Sequence, residues 1–475
     1  MTVAAHTAPS ARNFAGLSTT MLALGLVAVG FGVADVAMVS PAGVGAVAAV
    51  GLGDTVVVAV SAFFFGLIDT FSARLAAAEG AGSTATRLPE LAGAFLLGTI
   101  PLVAIGVGCA IAAGPFLGLI GQPEEIVPGA SGYIATRMLG VLPTLLYLGG
   151  METLKVCGLR SSAIVLLVVG LVLNVGGNAL FLWSPASALF AGPEVAVATA
   201  TVLAQSVMFV VAVVLLLRGF RGQRFRAPSA RAVFGETADV CRVGAGVGIR
   251  QVNDYAASTV PFLFLGHLGV GVVAAAAVAA KIWTLYCRVP QACFGGAFVL
   301  YGYASGRSRS DSRTVLRRVT AYSAVPVLVA TIAVPLLAPW LVRLIGGDAI
   351  DAGMTTLFVL AYMITALPYF FEKLAGELLT VERAGVVLSV ASSVVTYGLT
   401  IPLAALAVYV IGSPFLAIAS AAIASAVLAV VFWRRLLRAV RTPEQQDTGR
   451  SGAGPGAPAD APAGTGAEGA HLAGS

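Results

Sequence analysis

Long apolar segments separated by short connections fill almost the whole chain, and this pattern limits what the chain can fold into. Of its 475 residues, 58% are apolar and only 11% are Asp, Glu, Lys or Arg, whereas soluble chains carry roughly a quarter charged residues. So few charges cannot cover a water-exposed surface, which excludes a soluble enzyme. The net charge of +6 does not indicate a nucleic-acid partner, because the basic residues lie in short loops.

A membrane span needs about 20 apolar residues, and the apolar stretch has room for about a dozen. We therefore predict an all-α integral membrane protein with twelve transmembrane helices. They are expected near residues 14–39, 46–73, 91–112, 131–154, 160–183, 192–218, 243–267, 272–301, 317–346, 354–376, 384–411 and 413–436.

Basic residues predict the orientation. Alternate connections are rich in Lys and Arg, and the others hold almost none, with Arg343 as the main exception. By the positive-inside rule, both termini are expected in the cytoplasm of a multi-pass plasma-membrane protein. Residues 1–13 then form a cytoplasmic segment, and the Gly/Ala/Pro-rich tail 437–475 is predicted to be disordered.

An internal repeat divides the chain into two halves. Residues 43–49 match residues 269–275 at an offset of 226, and Leu142-Pro143 matches Leu367-Pro368 at 225. We predict an N-lobe over 14–218, a basic linker over 219–241 and a C-lobe over 242–436. Six spans per half is an even number, so the two lobes form a parallel repeat about an axis along the membrane normal. A substrate path is expected between them.

Polar residues in mid-membrane that the other half lacks are the candidates for function. Asp35 lies deep in the first span, where an ionised carboxylate must be paired, hydrated or protonated. Asn174 and Asn178 lie one turn apart on the fifth span and share a face, and Thr201 is a weaker member of this set. Interhelical hydrogen bonding is the structural alternative for all four residues.

The second half carries a different set. Arg250 and Asp254 on the seventh span, with Lys281 and Arg288 on the eighth, indicate a hydrated interior rather than a lipid face. An ion pair between Arg250 and Asp254 is the alternative interpretation. We predict a substrate site formed by these charges and nearby aromatic residues: Arg250, Asp254, Tyr255, Lys281, Trp283 and Tyr286.

Catalytic motifs are absent from the sequence. It has three His residues and no HExxH, GxSxG or GKS/GKT pattern, so we predict no enzyme activity, no bound metal and no cofactor. Energy for transport would have to come from an ion gradient.

The sequence resembles the multidrug and toxic compound extrusion (MATE) family over residues 14–436. The motifs that carry the resemblance are ADVAMVSPAGVGAVAAVGL (34–52), ARLAAAEGAG (73–82), GQPEEI (121–126), LVLNVGGNALF (171–181), VATATVLAQ (197–205) and LGVGVVAAAAVAAKI (268–282). The resemblance implies two lobes around a cavity, with alternating access driven by H⁺ or Na⁺.

By this resemblance Asp35 matches the acid that carries the coupling ion, with Asn174, Asn178 and Thr201 as its partners. Asp254 matches an acid of sodium-coupled members. Asn178 stands where some members have an acid, and no counterpart of the tenth-span acid lies near Pro368. These departures favour H⁺ over Na⁺. The resemblance does not imply the basic residues Lys281, Arg250 and Arg288. Their positive charge is compatible with an anionic or zwitterionic substrate.

We therefore predict a monomeric antiporter that exports small organic molecules through the lipid bilayer. A flippase for a lipid-linked precursor, from the same superfamily, is the alternative. A non-transporting membrane scaffold is a third possibility, which the unmatched buried polar residues argue against. The major facilitator layout has the same repeat, but its characteristic loop after the second span is missing here.

Overall fold

The computed structural model describes residues 10–223, 225, 227–305, 309–381 and 385–441. The described part is almost entirely helical and contains no strand. Most of the tail predicted to be disordered lies outside it, as do residues 1–9 and Arg224, Arg226, Arg307 and Arg383 of the predicted basic connections. The α-helices are α1 (Ala11–Val39), α2 (Val44–Gly80), α3 (Thr84–Leu119), α4 (Val127–Leu139), α5 (Val141–Val156), α6 (Arg160–Trp183), α7 (Pro193–Gly219), α8 (Ala230–Phe264), α9 (Val270–Ser305), α10 (Arg309–Gly346), α11 (Ala352–Ile364), α12 (Ala366–Val381), α13 (Gly385–Val395), α14 (Ile401–Ala405), α15 (Pro414–Ala419) and α16 (Ala421–Arg441).

The prediction of an all-α protein with twelve spans in two lobes is confirmed. Within the described ranges, nine helical segments are long and apolar enough to cross a membrane, and the pairs α4–α5 and α11–α12 can each serve as one bent span. Helix α8 makes the twelfth crossing. Its charged residues give it a lower mean hydropathy than the other spans. We call the side where α1 begins the N-terminal face and the other side the opposite face.

The fourth and tenth spans, expected near 131–154 and 354–376, are each divided into two helices. They bend by 51° and 40° respectively. Pro143 and Pro368 cause the breaks, since a proline lacks the N–H donor and clashes with the carbonyl four residues earlier. Those carbonyls belong to Leu139 and Ile364, the last residues of α4 and α11. The eleventh span is likewise interrupted, by π-helical turns on both sides of Pro402.

Glycines at equivalent positions of the two halves have the same backbone conformation. Gly43 and Gly269 precede α2 and α9 with φ of 106° and 104°, which side chains with a Cβ rarely adopt. Gly121 has φ of 70°, and Gly347, its counterpart at the offset of 226, has φ of 64°. The two halves therefore enter their second spans, and leave their third, through the same turns.

Helix α8 begins inside the predicted linker, at Ala230 rather than near residue 243, and packs mainly against α2 and α3 of the N-lobe. Gly66 meets the backbone of Gly244 and Gly248 so closely that a Cβ on Gly66 would collide with it. At the N-terminal face, Glu236 of α8 pairs with Arg74 and with Arg87, the second at 2.9 Å. Close backbone packing and ion pairs thus join this helix to the half of the repeat that it does not belong to.

Candidate functional site

Asp35 is the centre of a buried polar cluster in the N-lobe. It lies one turn before the end of α1, in the half of the molecule nearer the opposite face. Asn174 and Asn178 reach it from α6, and Thr201 from α7. All four side chains are fully buried. Helix α6 can present both asparagines because residues four apart lie on one helix face.

Each of these neighbours donates a hydrogen bond to the Asp35 carboxylate. Asn178 Nδ2 lies 2.9 Å from Asp35 Oδ1, and Asn174 Nδ2 lies 3.2 Å from the same oxygen. Thr201 Oγ1 lies 2.9 Å from Asp35 Oδ2. Asn174 Nδ2 is also 2.8 Å from Thr201 Oγ1, so it supports the hydroxyl that donates to the acid. A set made only of donors matches an ionised carboxylate, which is purely an acceptor.

The same cluster contains acceptors without a hydrogen bond. The side-chain oxygens of Asn174 and Asn178 are buried and have no hydrogen-bond partner. Thr201 Oγ1 can alternatively donate to the Val197 carbonyl at 3.1 Å, since a hydroxyl has one hydrogen. The cluster therefore has oxygens to offer a proton or a small cation as well as donors for the anion.

Two residues of α4 extend the cluster, and sequence reasoning missed both. The Tyr133 hydroxyl lies 3.4 Å from Asp35 Oδ2, and Arg137 Nη1 lies 3.9 Å from the same oxygen. Arg137 also donates to the Tyr133 hydroxyl at 3.4 Å. Arg137 aligns with an apolar or aromatic residue of the other half, near Met363, so the search for unmatched polar residues could have found it.

A second buried carboxylate, Asp54 of α2, was missed as well. Tyr133 approaches Asp54 Oδ1 to 3.3 Å. Lys281 of α9 forms an ion pair with Asp54 Oδ2. Lys281, predicted as a substrate residue, is thus engaged by the N-lobe acid. The ion pair crosses from one lobe to the other.

Arg250 and Asp254, by contrast, are exposed and do not pair with each other, so the alternative of an Arg250–Asp254 ion pair is not seen. They interact electrostatically with α12, since both act on Glu377, and Arg250 also acts on Asp69 of α2. Glu372 of α12 is buried and pairs with Lys373 at 3.1 Å. These groups form a cleft of mixed charge between the lobes.

The aromatic residues of α9 form a stack. The Trp283 ring lies over Tyr286 and over Tyr362 with centroid separations of 5.1 and 5.7 Å. Tyr286 is buried, and its hydroxyl is 3.0 Å from Thr331 Oγ1. Tyr255 of α8 lies within electrostatic reach of Arg288, whose buried Nε has no hydrogen-bond partner. The stack is mostly engaged in C-lobe packing, and Trp283 remains half-buried.

A cavity of about 250 Å³ opens in the half nearer the N-terminal face. Its lining comes from α1, α9 and α12 and contains apolar and aromatic residues with two polar ones: Met21, Gln291, Phe294, Gly295, Phe298, Val299 and Glu377. None of the six predicted substrate residues lines it. In the opposite half, Ser40 and Gly347 and also Gln122 and Gly266 lie close together, which brings the lobes into contact there. The lobes therefore meet in the half nearer the opposite face.

Comparisons with known proteins find the same fold. Residues 22–180 match the family model MatE. A structure described as the inward-facing conformation of a multidrug resistance MATE family transporter of the MOP superfamily is 19% identical. It covers 90% of this chain and 100% of its own, with a TM-score of 0.74. No protein of curated function matches the chain at a significant level.

Two further structures have the same fold. A MOP superfamily transporter from Pyrococcus furiosus, described as having a binding pocket of reverse polarity, has a TM-score of 0.68 at 19% identity, over 90% of this chain and 96% of its own. A MATE protein in complex with MaD3S has a TM-score of 0.67 at 19% identity, with the same coverage. The resemblance seen in the sequence is thus confirmed as far as it was tested: residues 22–180 match the family model MatE, and the chain has the fold of the solved MATE structures.

Proposed function

We propose that this chain is a secondary active antiporter that exports small organic compounds in exchange for H⁺, by alternating access of the cleft between its lobes. The observation that carries the proposal is the buried Asp35 carboxylate with its donors on α6 and α7. The similar solved structure of a multidrug resistance transporter supports drug-like or natural-product substrates.

The Asp35 cluster suits a group that gains and loses a proton. In the ionised form, the acid accepts from Asn174, Asn178 and Thr201. In the protonated form, its new O–H needs an acceptor, and Thr201 can supply one by turning its own hydrogen to the Val197 carbonyl. Rotating one hydroxyl therefore gives the Asp35 carboxyl a hydrogen-bond partner in both forms, so neither form leaves this group unpaired.

Na⁺ is the second candidate for the coupling ion. The unpaired side-chain oxygens of Asn174 and Asn178 favour it, because hard cations bind carboxylate and amide oxygens. Arg137, only 3.9 Å from the Asp35 carboxylate, opposes it. A fixed positive charge beside the acid repels a cation, and the cluster holds no second carboxylate at Asn178 to offset that repulsion. H⁺ is the ion that this charge balance favours.

Transport by the purified protein in proteoliposomes, with a pH gradient and a Na⁺ gradient imposed separately, tests the proposal. Fluorescent cationic, anionic and zwitterionic dyes serve as substrates, because the cleft holds Arg250 and Lys373 as well as Asp254 and Glu377. We expect the pH gradient alone to drive accumulation of at least one dye. A protein that ignores every dye under both gradients but moves a lipid-linked substrate across the bilayer is a flippase, and this result would overturn the proposal.

The orientation is part of the proposal. Described basic residues concentrate at the N-terminal face, in the connections around Lys155, Arg221 and Arg317, which supports cytoplasmic termini. A monomer in the plasma membrane is the form that we propose. Ser187 is exposed at the opposite face. In a variant whose five cysteines are replaced and Ser187 is changed to Cys, a membrane-impermeant maleimide should label intact cells. Labelling only after the cells are broken would show that the protein has the opposite orientation.

A further inference from the structure

The inter-lobe ion pair lies where the two halves of the repeat meet. Gly51 of α2 packs against Ala277 of α9, and these positions are equivalent at the offset of 226. Equivalent positions can touch only at the pseudo-two-fold axis. Asp54 and Lys281 lie one helical turn further along the same two helices, and their side chains are only 12% and 13% exposed. The pair therefore holds the lobes together close to their axis.

This pair shares its partners with the Asp35 cluster. The Tyr133 hydroxyl is 3.3 Å from Asp54 and 3.4 Å from Asp35, and with one hydrogen it can donate to only one of them at a time. Arg137 acts electrostatically on both carboxylates. The other titratable group in electrostatic contact with Arg137 is Tyr147 of α5. The charge state of Asp35 therefore changes how strongly Arg137 is attracted to Asp54. It also changes whether the Tyr133 hydroxyl donates its hydrogen to Asp54.

Charge balance gives the direction of this effect. Two carboxylates, Asp35 and Asp54, offset two cations, Arg137 and Lys281, in a buried site. When Asp35 is neutralised, the site has one positive charge too many, and Arg137 has Asp54 as its remaining carboxylate neighbour. Arg137 then competes with Lys281 for the same acid, which weakens the bond between the lobes.

We propose that the Asp54–Lys281 pair is a lock that keeps the empty, unprotonated transporter closed at the opposite face, and that Asp35 governs it through Arg137 and Tyr133. The proposal rests on the proposed antiport. In this proposal Lys281 is a positioning residue and does not bind the substrate. It prevents the transporter from changing state while neither ion nor substrate is bound. A lock of this kind enforces exchange, because only a transporter that has bound an ion or substrate can change state.

The distance between the lobes at the opposite face tests the lock without substrate or gradient. Spin labels at Ser187 of the N-lobe and Asp348 of the C-lobe, both exposed, report this distance by electron double resonance in the cysteine-replaced full chain. Lys281→Met should shift the population to longer distances, and Lys281→Arg should restore the native distribution. Lys155→Met, which removes a lysine paired within its own lobe to Glu152, should leave it unchanged.

A double-mutant cycle tests the link to Asp35. Asp35→Asn should lengthen the distance in the native background and add nothing in the Lys281→Met background, because its effect passes through the pair. Additive shifts, or no shift with Asp35→Asn, would overturn the link. The neutral double variant Asp54→Asn/Lys281→Met leaves no unpaired charge between these two positions and serves if the single variant fails to fold.

Transport separates the lock from a substrate role. Lys281→Met should keep dye exchange at equilibrium near the native rate and lose gradient-driven accumulation by about tenfold or more. Retained accumulation, or weakened dye binding with unchanged lobe distances, would overturn the lock. Failure of the proposed antiport would instead be seen as no gradient-driven transport by the native protein, whatever the distances show.

Discussion

The polar cluster around Asp35 and the charged cleft around Asp254 lie in the same membrane protein but in opposite environments. Asp35 is fully buried, and Asn174, Asn178 and Thr201 all donate hydrogen bonds to it. Asp254 and Arg250 are exposed, and both lie within electrostatic reach of Glu377. A buried, geometrically fixed site discriminates by charge and hydrogen-bond direction, which suits a single small ion. A solvated cleft of mixed charge holds no ligand tightly, and this property suits varied organic substrates.

The largest effect that the comparison predicts is on stability, at Arg137. Arg137→Leu removes the cation beside two buried carboxylates, and breaking a buried pair costs about 3–5 kcal/mol. We expect thermal unfolding of the detergent-solubilised protein at a clearly lower temperature, with partial recovery in Arg137→Lys. The exposed Arg313 provides a control, since Arg313→Leu should change little. Equal losses at both positions would mean that the buried cluster is no more dependent on charge pairing than the surface.

An intermediate effect is expected at Thr201. Thr201→Val removes a donor to the carboxylate, and hydrogen bonds to charged groups contribute about 1.5–3 kcal/mol. The ionised form of Asp35 is then less favoured, so the pH range of ion-driven dye transport should move upward by about one unit or more. Thr199→Val is the matched control, because the Thr199 hydroxyl bonds within its own helix, to the Val195 carbonyl. An unchanged pH profile in Thr201→Val would remove this hydroxyl from the coupling site.

The smallest effect on stability is expected in the cleft. Asp254→Asn changes an exposed side chain, so the free energy of unfolding should move by less than about 0.5 kcal/mol. The apparent affinity for charged dyes should change instead, in opposite directions for cationic and anionic dyes. A large loss of stability would show that the cleft, like the N-lobe cluster, depends on fixed charge pairing.

Sequence reasoning located the parts of the protein that local chemistry determines. Apolar segments of the length of a membrane span predicted twelve crossings, and the repeat predicted two lobes. Asp35 was recognisable because a carboxylate in an apolar helix needs a partner, and Asn174 and Asn178 because their spacing places them on one face. The bends in the fourth and tenth spans were foreseeable from Pro143 and Pro368, which also occupy matching positions, but their effect on the helices was not considered.

The partners of Lys281 and Asp35 depend on how distant helices pack, and this packing was not visible in the sequence. Asp54 and Lys281 are 227 residues apart, so neither predicts the other by local spacing. The repeat did contain the information, because nearly equivalent positions on α2 and α9 meet at the axis. Arg137 was missed for a similar reason. Its role depends on α4 packing against α2 and α7, which no local pattern of charge or apolarity indicates.

Ion-driven dye transport by Asp35→Asn in proteoliposomes tests the central claim, that Asp35 carries the coupling ion. The substitution keeps the size of the side chain and removes its charge. With a pH gradient imposed, we predict that dye accumulation is abolished, while exchange of labelled for unlabelled dye at equal pH persists and shows that the protein is folded and still binds substrate. Accumulation at the native level in this variant would contradict the account.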